Sequence, residues 1–133
     1  MKKLQNNTAG FTAIELLVFI LVLVIVAVVG ISNIRALRAE NRDAARKTDI
    51  NATYYQLESF YEKNGYYPQK LTVSTLQGID PESLKDTRGK SYNEPSSQYT
   101  YKTIGCTDQK CKSYTLTADL EKEAPFTKKS LNG

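Results

Sequence analysis

From Leu16 to Val29 the chain reads LLVFILVLVIVAVV, fourteen apolar residues without a break. Extended to Phe11 and Ile31 the stretch has 21 residues, about 31 Å as helix against a hydrocarbon core of about 30 Å. Ten of the 21 are valine or isoleucine, which disfavour helix slightly in water. In lipid a lone strand would leave its backbone groups unpaired, so helix is the form such a segment takes. The rest of the chain is too polar to wrap it. Residues 11–31 carry 18 apolar side chains, whereas residues 32–133 carry 33 in 102 positions, many of them tyrosine. A helix apolar on every side needs lipid or sister helices around it.

At 133 residues the chain has room for one domain plus one appended element. It contains no histidine, the commonest general base and metal ligand. Its two cysteines cannot complete a four-thiolate zinc site. No spacing among Ser, Thr, Lys and the carboxylates suggests a nucleophile with its base. The expectation is a non-enzyme without cofactor or metal. A formal charge of +4 from 18 basic and 14 acidic residues is too mild and dispersed to argue for nucleic acid, which stays open as a partner.

Glu15 breaks the apolar pattern. An ionisable residue inside a span costs about 2.5–3.5 kcal/mol on insertion scales and marks a functional position by default. The flank before the span is equally unusual. A secretory signal places its small-residue cleavage site after the apolar stretch; in MKKLQNNTAG the small residue, Gly10, precedes it. Cutting there leaves the apolar helix attached to a new amino terminus at Phe11.

Gly10-Phe11-Thr12-Ala13-Ile14-Glu15, preceded by a short basic leader and followed at once by a long apolar helix, resembles the prepilin signature of type IV pilins and pseudopilins. The resemblance implies that residues 1–10 are a leader cut between Gly10 and Phe11 by a membrane prepilin peptidase. It implies that the same enzyme N-methylates Phe11. It gives Glu15 the role of pairing with the terminal amine of a neighbouring subunit, a registry device for a homo-oligomeric helical filament. Residues 11–31 then meet lipid first and the filament interior afterwards, with the membrane assembly machinery between the two. Gly30 is the one helix-weakening residue of the run and the candidate point of local melting; its alternative role is to let helices pack closely.

The flanking charges conflict with that topology. Lys2 and Lys3 precede the span, whereas Arg35, Arg38, Arg42, Arg46 and Lys47 follow it. The positive-inside rule alone would put the carboxy-terminal part in the cytoplasm. The prepilin resemblance puts the leader there instead, with the head outside. Glu40, Asp43 and Asp49 stand at three- or four-residue spacing from those arginines, where ion pairs form along a helix.

Beyond Ile31 the pattern becomes amphipathic: Ile31, Ile34 and Leu37, then Ile50, Tyr54, Leu57 and Tyr61 recur at three and four residues. Asn64-Gly65 predicts the stop. One helix over residues 11–63 would have 53 residues and extend about 80 Å, with residues 32–63 as its amphipathic continuation. Asn64-Gly65-Tyr66-Tyr67-Pro68 resembles a string found just after the long helix in pilin and pseudopilin heads. Residues 64–133 form the head. Residues 85–98 read as an exposed polar loop. Period-two alternation over Tyr99–Ile104 and Tyr114–Glu121 predicts two strands. The fold class expected is α+β, a long amino-terminal helix on a small antiparallel sheet. Cys106 and Cys111, between the strands, predict a disulfide worth about 2 kcal/mol by loop entropy, or reduced thiols if the head is cytosolic.

Three functions follow. The first is a type IV pilin that polymerises through its amino-terminal helix into an extracellular filament for adhesion, motility or DNA uptake. The second is a pseudopilin of a type II secretion or competence system. Calcium ligands for such a head would come from Asp80, Glu82 and Asp86 or from Asp119, Glu121 and Glu123, but neither set has the ligand density of a calcium site, and an exposed acidic strand edge explains the second set better. The third is a single-span membrane protein whose cytosolic head binds a partner.

Overall fold

A computed structural model of the chain describes residues 10–132. Most of the expected leader, residues 1–9, therefore lies outside the described residues. The rest falls into two compact units that divide between Leu37 and Arg38. One helix, α1 (Ala13–Asn64), contributes to both.

In the first unit α1 begins at Ala13, two residues later than expected, because Thr12 caps it. The Thr12 Oγ1 accepts the Glu15 N–H at 3.3 Å, and its carbonyl accepts the Leu16 N–H at 3.1 Å. Thr-x-x-Glu is the spacing of a capping box. Glu15 also places negative charge in the first turn, where the helix dipole favours it. The large apolar side chains from Ile14 to Ile31 are between 49% and 68% exposed, so none of them is covered. Helix continues through Gly30, and a methyl group there would meet nothing within 4 Å.

The second unit holds the remainder of α1 and five strands: β1 (Tyr67–Pro68), β2 (Tyr99–Ile104), β3 (Lys110–Cys111), β4 (Ser113–Ala118) and β5 (Phe126–Lys129). Strands β2, β4 and β5 form an antiparallel sheet in that order, and β1 pairs with β3. Pairing runs from Tyr99↔Ala118 to Ile104↔Ser113, and on the other side of β4 from Ala118↔Phe126 to Thr115↔Lys129. The class is α+β.

Alternation decides what the sheet buries. Tyr99 and Tyr101 of β2 and Tyr114, Leu116 and Ala118 of β4 join Ile50 and Leu57 of α1 in one core. Burying each such large side chain is worth about 1.5–3 kcal/mol. Ile50 and Leu57 are fully buried, with Tyr54 and Tyr61 packed beside them, as the helical spacing predicts. Ile34 and Leu37, read as part of the same stripe, belong to the first unit and are exposed. The helix stops at Asn64: Gly65 takes φ +76°, and its N–H closes on the Tyr61 carbonyl at 2.7 Å, the left-handed exit that glycine makes without strain.

Three readings need correction. Strand β4 ends at Ala118, not Glu121, because the N–H groups of Glu121 and Lys122 turn to the Asp43 carboxylate of α1 at 2.9–3.1 Å. The acids after β4 are thus no strand edge. Residues 85–98 are not a merely exposed loop, since Asp86 and Gln98 are buried and Tyr92 packs against the core. Asp86 accepts the N–H groups of Arg88, Lys90 and Gln98, and these bonds fix the turn. Burial alone would raise its carboxyl; the three donors outweigh it and hold the group below the usual range.

Candidate functional site

Phe11 is 78% exposed beside an exposed Gly10, at the start of the uncovered run of α1. Glu15 is the only ionisable residue from Phe11 to Ile34. Its own N–H is held by Thr12, and the residue is exposed. Contiguous apolar surface on this scale marks an interaction site. Among the described residues α1 is the helix long and apolar enough to cross a membrane. Such a surface suits lipid or other copies of the same helix. The structure thus places Gly10, Phe11 and Glu15 together at one end of that surface.

The basic residues after the span have a second role that spacing did not disclose. Arg46, with its side chain 2% exposed, donates to Asp43 at 2.6 Å, to Gln98 at 3.0 Å and to Glu121 at 2.7 Å. Arg42 forms a two-pronged pair with the same Glu121, at 2.8 and 2.6 Å. Lys47 reaches Glu123 at 2.6 Å. The Asp43–Arg46 pair realises the expected i,i+3 spacing; Glu40 instead approaches Lys122 at 4.0 Å, and Asp49 accepts the Tyr99 hydroxyl at 2.7 Å. The sequence signal was half present: Asp43 and Arg46 announce each other, but Glu121 lies 75 residues downstream of Arg46.

This network makes head stability acid-sensitive. Hydrogen bonds from Arg42 and then Arg46 push the Glu121 carboxyl down to about 2. At Asp43, burial would raise the carboxyl, but the N–H groups of Glu121 and Lys122 and the Arg46 charge outweigh it and lower the group. Folded values below unfolded ones contribute stability that is present above the unfolded pKa, near 4, and disappears as pH falls through the folded value near 2. Asp49 opposes this, because burial raises its carboxyl despite the Tyr99 hydroxyl. The expected result is a melting temperature that drops steeply between about pH 4.5 and 2, with a shallower drop for Glu121→Gln. Parallel curves for the two proteins would refute the assignment.

A buried carboxylate that sequence reasoning missed ties the far end of α1 to the sheet. Glu58 accepts the hydroxyls of Tyr67 and Tyr114, both at 2.8 Å, and the Leu131 N–H at 3.3 Å. Burial, then the hydrogen bond to Glu58 and its charge, push the Tyr114 hydroxyl far above its ordinary range. Many of the tyrosines serve here as half-polar core residues, with rings in contact from Tyr61 to Tyr67 to Tyr114 to Tyr101.

Cys106 and Cys111 form a disulfide. Five of the six acids weighed as calcium ligands have separate tasks. Asp80 caps the short 3-10 turn Pro81–Leu84, Glu82 pairs with Lys85, Asp86 organises its turn, and Glu121 and Glu123 answer α1. Among the described residues no group of three or more candidate ligands is arranged for a metal ion. Searches of protein-family models, of curated proteins and of solved structures returned no match to this chain.

Proposed function

We propose that this chain is a type IV pilin-like subunit. It waits in the membrane as a single-span protein with its head outside, and it polymerises through α1 into a surface filament after cleavage between Gly10 and Phe11. One observation carries the reading: a helix uncovered on all sides along its apolar run, with a single carboxylate in its first turn. Lipid satisfies the apolar side chains but not the carboxylate. A packed bundle of sister helices satisfies both if the amine of a cleaved neighbour meets Glu15, because such a pair offsets two desolvation costs only in register. Gly30 is where this reading places melting of α1 during assembly.

The disulfide supports an oxidising compartment for the head. It therefore favours the outside topology over a cytosolic binding head. The pilus reading also assigns Arg42, Arg46 and Lys47 to the folding of the head, where Glu121 and Glu123 answer them. Among the described residues no acidic cluster favours the secretion pseudopilin alternative.

The test is to shear cells, image the released fibres, and sequence and weigh their subunit. The expected subunit begins at Phe11 and carries one extra methyl group, and Gly10→Leu leaves full precursor in the membrane. Fibres lacking this polypeptide, or a cell envelope holding only chain that starts at Met1, would refute the proposal.

A further inference from the structure

At the carboxy-terminal end of α1 the disulfide loop is held more firmly than an exposed polar loop needs to be. Beyond Cys106–Cys111, the Thr107 and Lys110 backbones exchange hydrogen bonds at 2.9 and 3.0 Å, and the Gln69 N–H donates to the Gln109 carbonyl at 3.1 Å. Strands β1 and β3 pair alongside. Asp108 and Gln109 sit at φ +50° and +66°, left-handed conformations that cost free energy and persist only where surroundings impose them. Rigidly held surface loops are where binding residues concentrate.

The loop forms one wall of an open groove of about 530 Å³, with Tyr61, Gly65 and Tyr66 opposite. That size lies within the range of small-ligand sites. A second recess shares Tyr66, Asp108 and Lys110 with it. The Lys110 ammonium stands 5.1 Å over the Tyr66 ring, which also meets Phe60 edge-to-face at 5.6 Å, and Tyr61 stacks one face on Tyr67 at 4.6 Å. The Lys112 and Asp108 side chains make no hydrogen bond or ion pair among the described residues, yet both residues line the groove. Lys112 lies along Gly105, where an added Cβ would come within 3.1 Å of its side chain; Gly105 thus gives that lysine its course.

We infer that this groove binds an acidic sugar, a saccharide unit bearing a carboxylate and free hydroxyls. The ammoniums of Lys110 and Lys112 take the carboxylate. Asp108 accepts sugar hydroxyls, which a phosphate-dense ligand could not offer it without repulsion. The Tyr61 face turned away from Tyr67, with the Tyr66 ring beside it, receives the ring's C–H surface. This inference is independent of filament assembly, because all its residues belong to the head.

The test uses full-length protein in detergent micelles and a tetramer of galacturonic acid, with maltotetraose and tetraglutamate as controls, followed by ligand-observed NMR and titration calorimetry. The acidic tetrasaccharide is expected to bind, and both controls to bind at least about tenfold more weakly. The double variant Lys110→Gln/Lys112→Gln should lose about tenfold in affinity, the size of two exposed charge contacts, at unchanged melting temperature. Tyr66→Ala should weaken binding with both lysines intact. Equal affinity for either control, or an unchanged affinity in the double variant, would overturn the inference.

Discussion

Glu15→Ala is expected to leave insertion and leader removal intact while surface filaments fall by at least about a hundredfold. The size follows from the environment that assembly creates. Breaking a buried ion pair by removing one partner costs about 3–5 kcal/mol, because the other charge stays buried and uncompensated, and 1.4 kcal/mol is already tenfold in an equilibrium. Here the orphan would be the amine of a neighbouring Phe11. The structure adds a competing explanation that the variant must answer. Thr12 and Glu15 have capping-box spacing, and the Thr12 hydroxyl holds the Glu15 N–H, so Glu15 also belongs to the helix start. Two further variants separate the roles. Thr12→Ala removes the cap, worth about 1 kcal/mol, and should leave filaments near normal. Glu15→Gln keeps the reach and hydrogen bonding of a capping side chain but loses the charge, and it should fail like alanine. Normal filaments from Glu15→Gln, or equal loss from Thr12→Ala, would reduce Glu15 to a helix-start residue.

The apolar half of α1 was legible because fourteen uninterrupted apolar residues leave few physical options. Strands β2 and β4 were legible because tyrosine and leucine alternate with threonine and lysine. Strand β5 was not. In Phe126-Thr127-Lys128-Lys129 the residue that alternation would make apolar is Lys128, whose ammonium instead sits 5.2 Å from the Tyr54 ring and 5.8 Å from the Phe126 ring. A lysine that lays its stem along aromatic surface erases the period-two signal while obeying it in space. Strands β1 and β3, two residues each, are too short to carry any period. The polar interior stayed hidden for another reason. Asp86, Gln98 and Glu58 look like surface residues by composition, and only the donors that converge on them from distant positions make their burial tolerable.

Arg46→Ala is expected to destabilise the head by about 3–5 kcal/mol, a large part of the roughly 5–15 kcal/mol that holds a typical domain folded. Arg46 is 1% exposed and carries the charge that answers Asp43, itself 3% exposed. Without it Asp43 keeps the N–H groups of Glu121 and Lys122 but loses its counter-charge, and the Gln98 side chain loses a donor. Lysine should rescue only partly, because a point ammonium cannot serve Asp43, Gln98 and Glu121 as the planar guanidinium fork does. The prediction also discriminates between two accounts of the basic flank. If Arg46 acts as a topology signal, its removal changes which side of the membrane the head occupies and leaves the folded head as stable as before. If it acts as a folding residue, denaturant unfolding followed through the buried tyrosines shifts strongly while Cys106 and Cys111 remain disulfide-bonded and outside. Arg35→Ala supplies the contrast, since Arg35 is exposed and belongs to the first unit. It should leave head stability within about 0.5 kcal/mol of the parent. Equal stability of the Arg46→Ala and Arg35→Ala proteins would return the basic flank to the membrane.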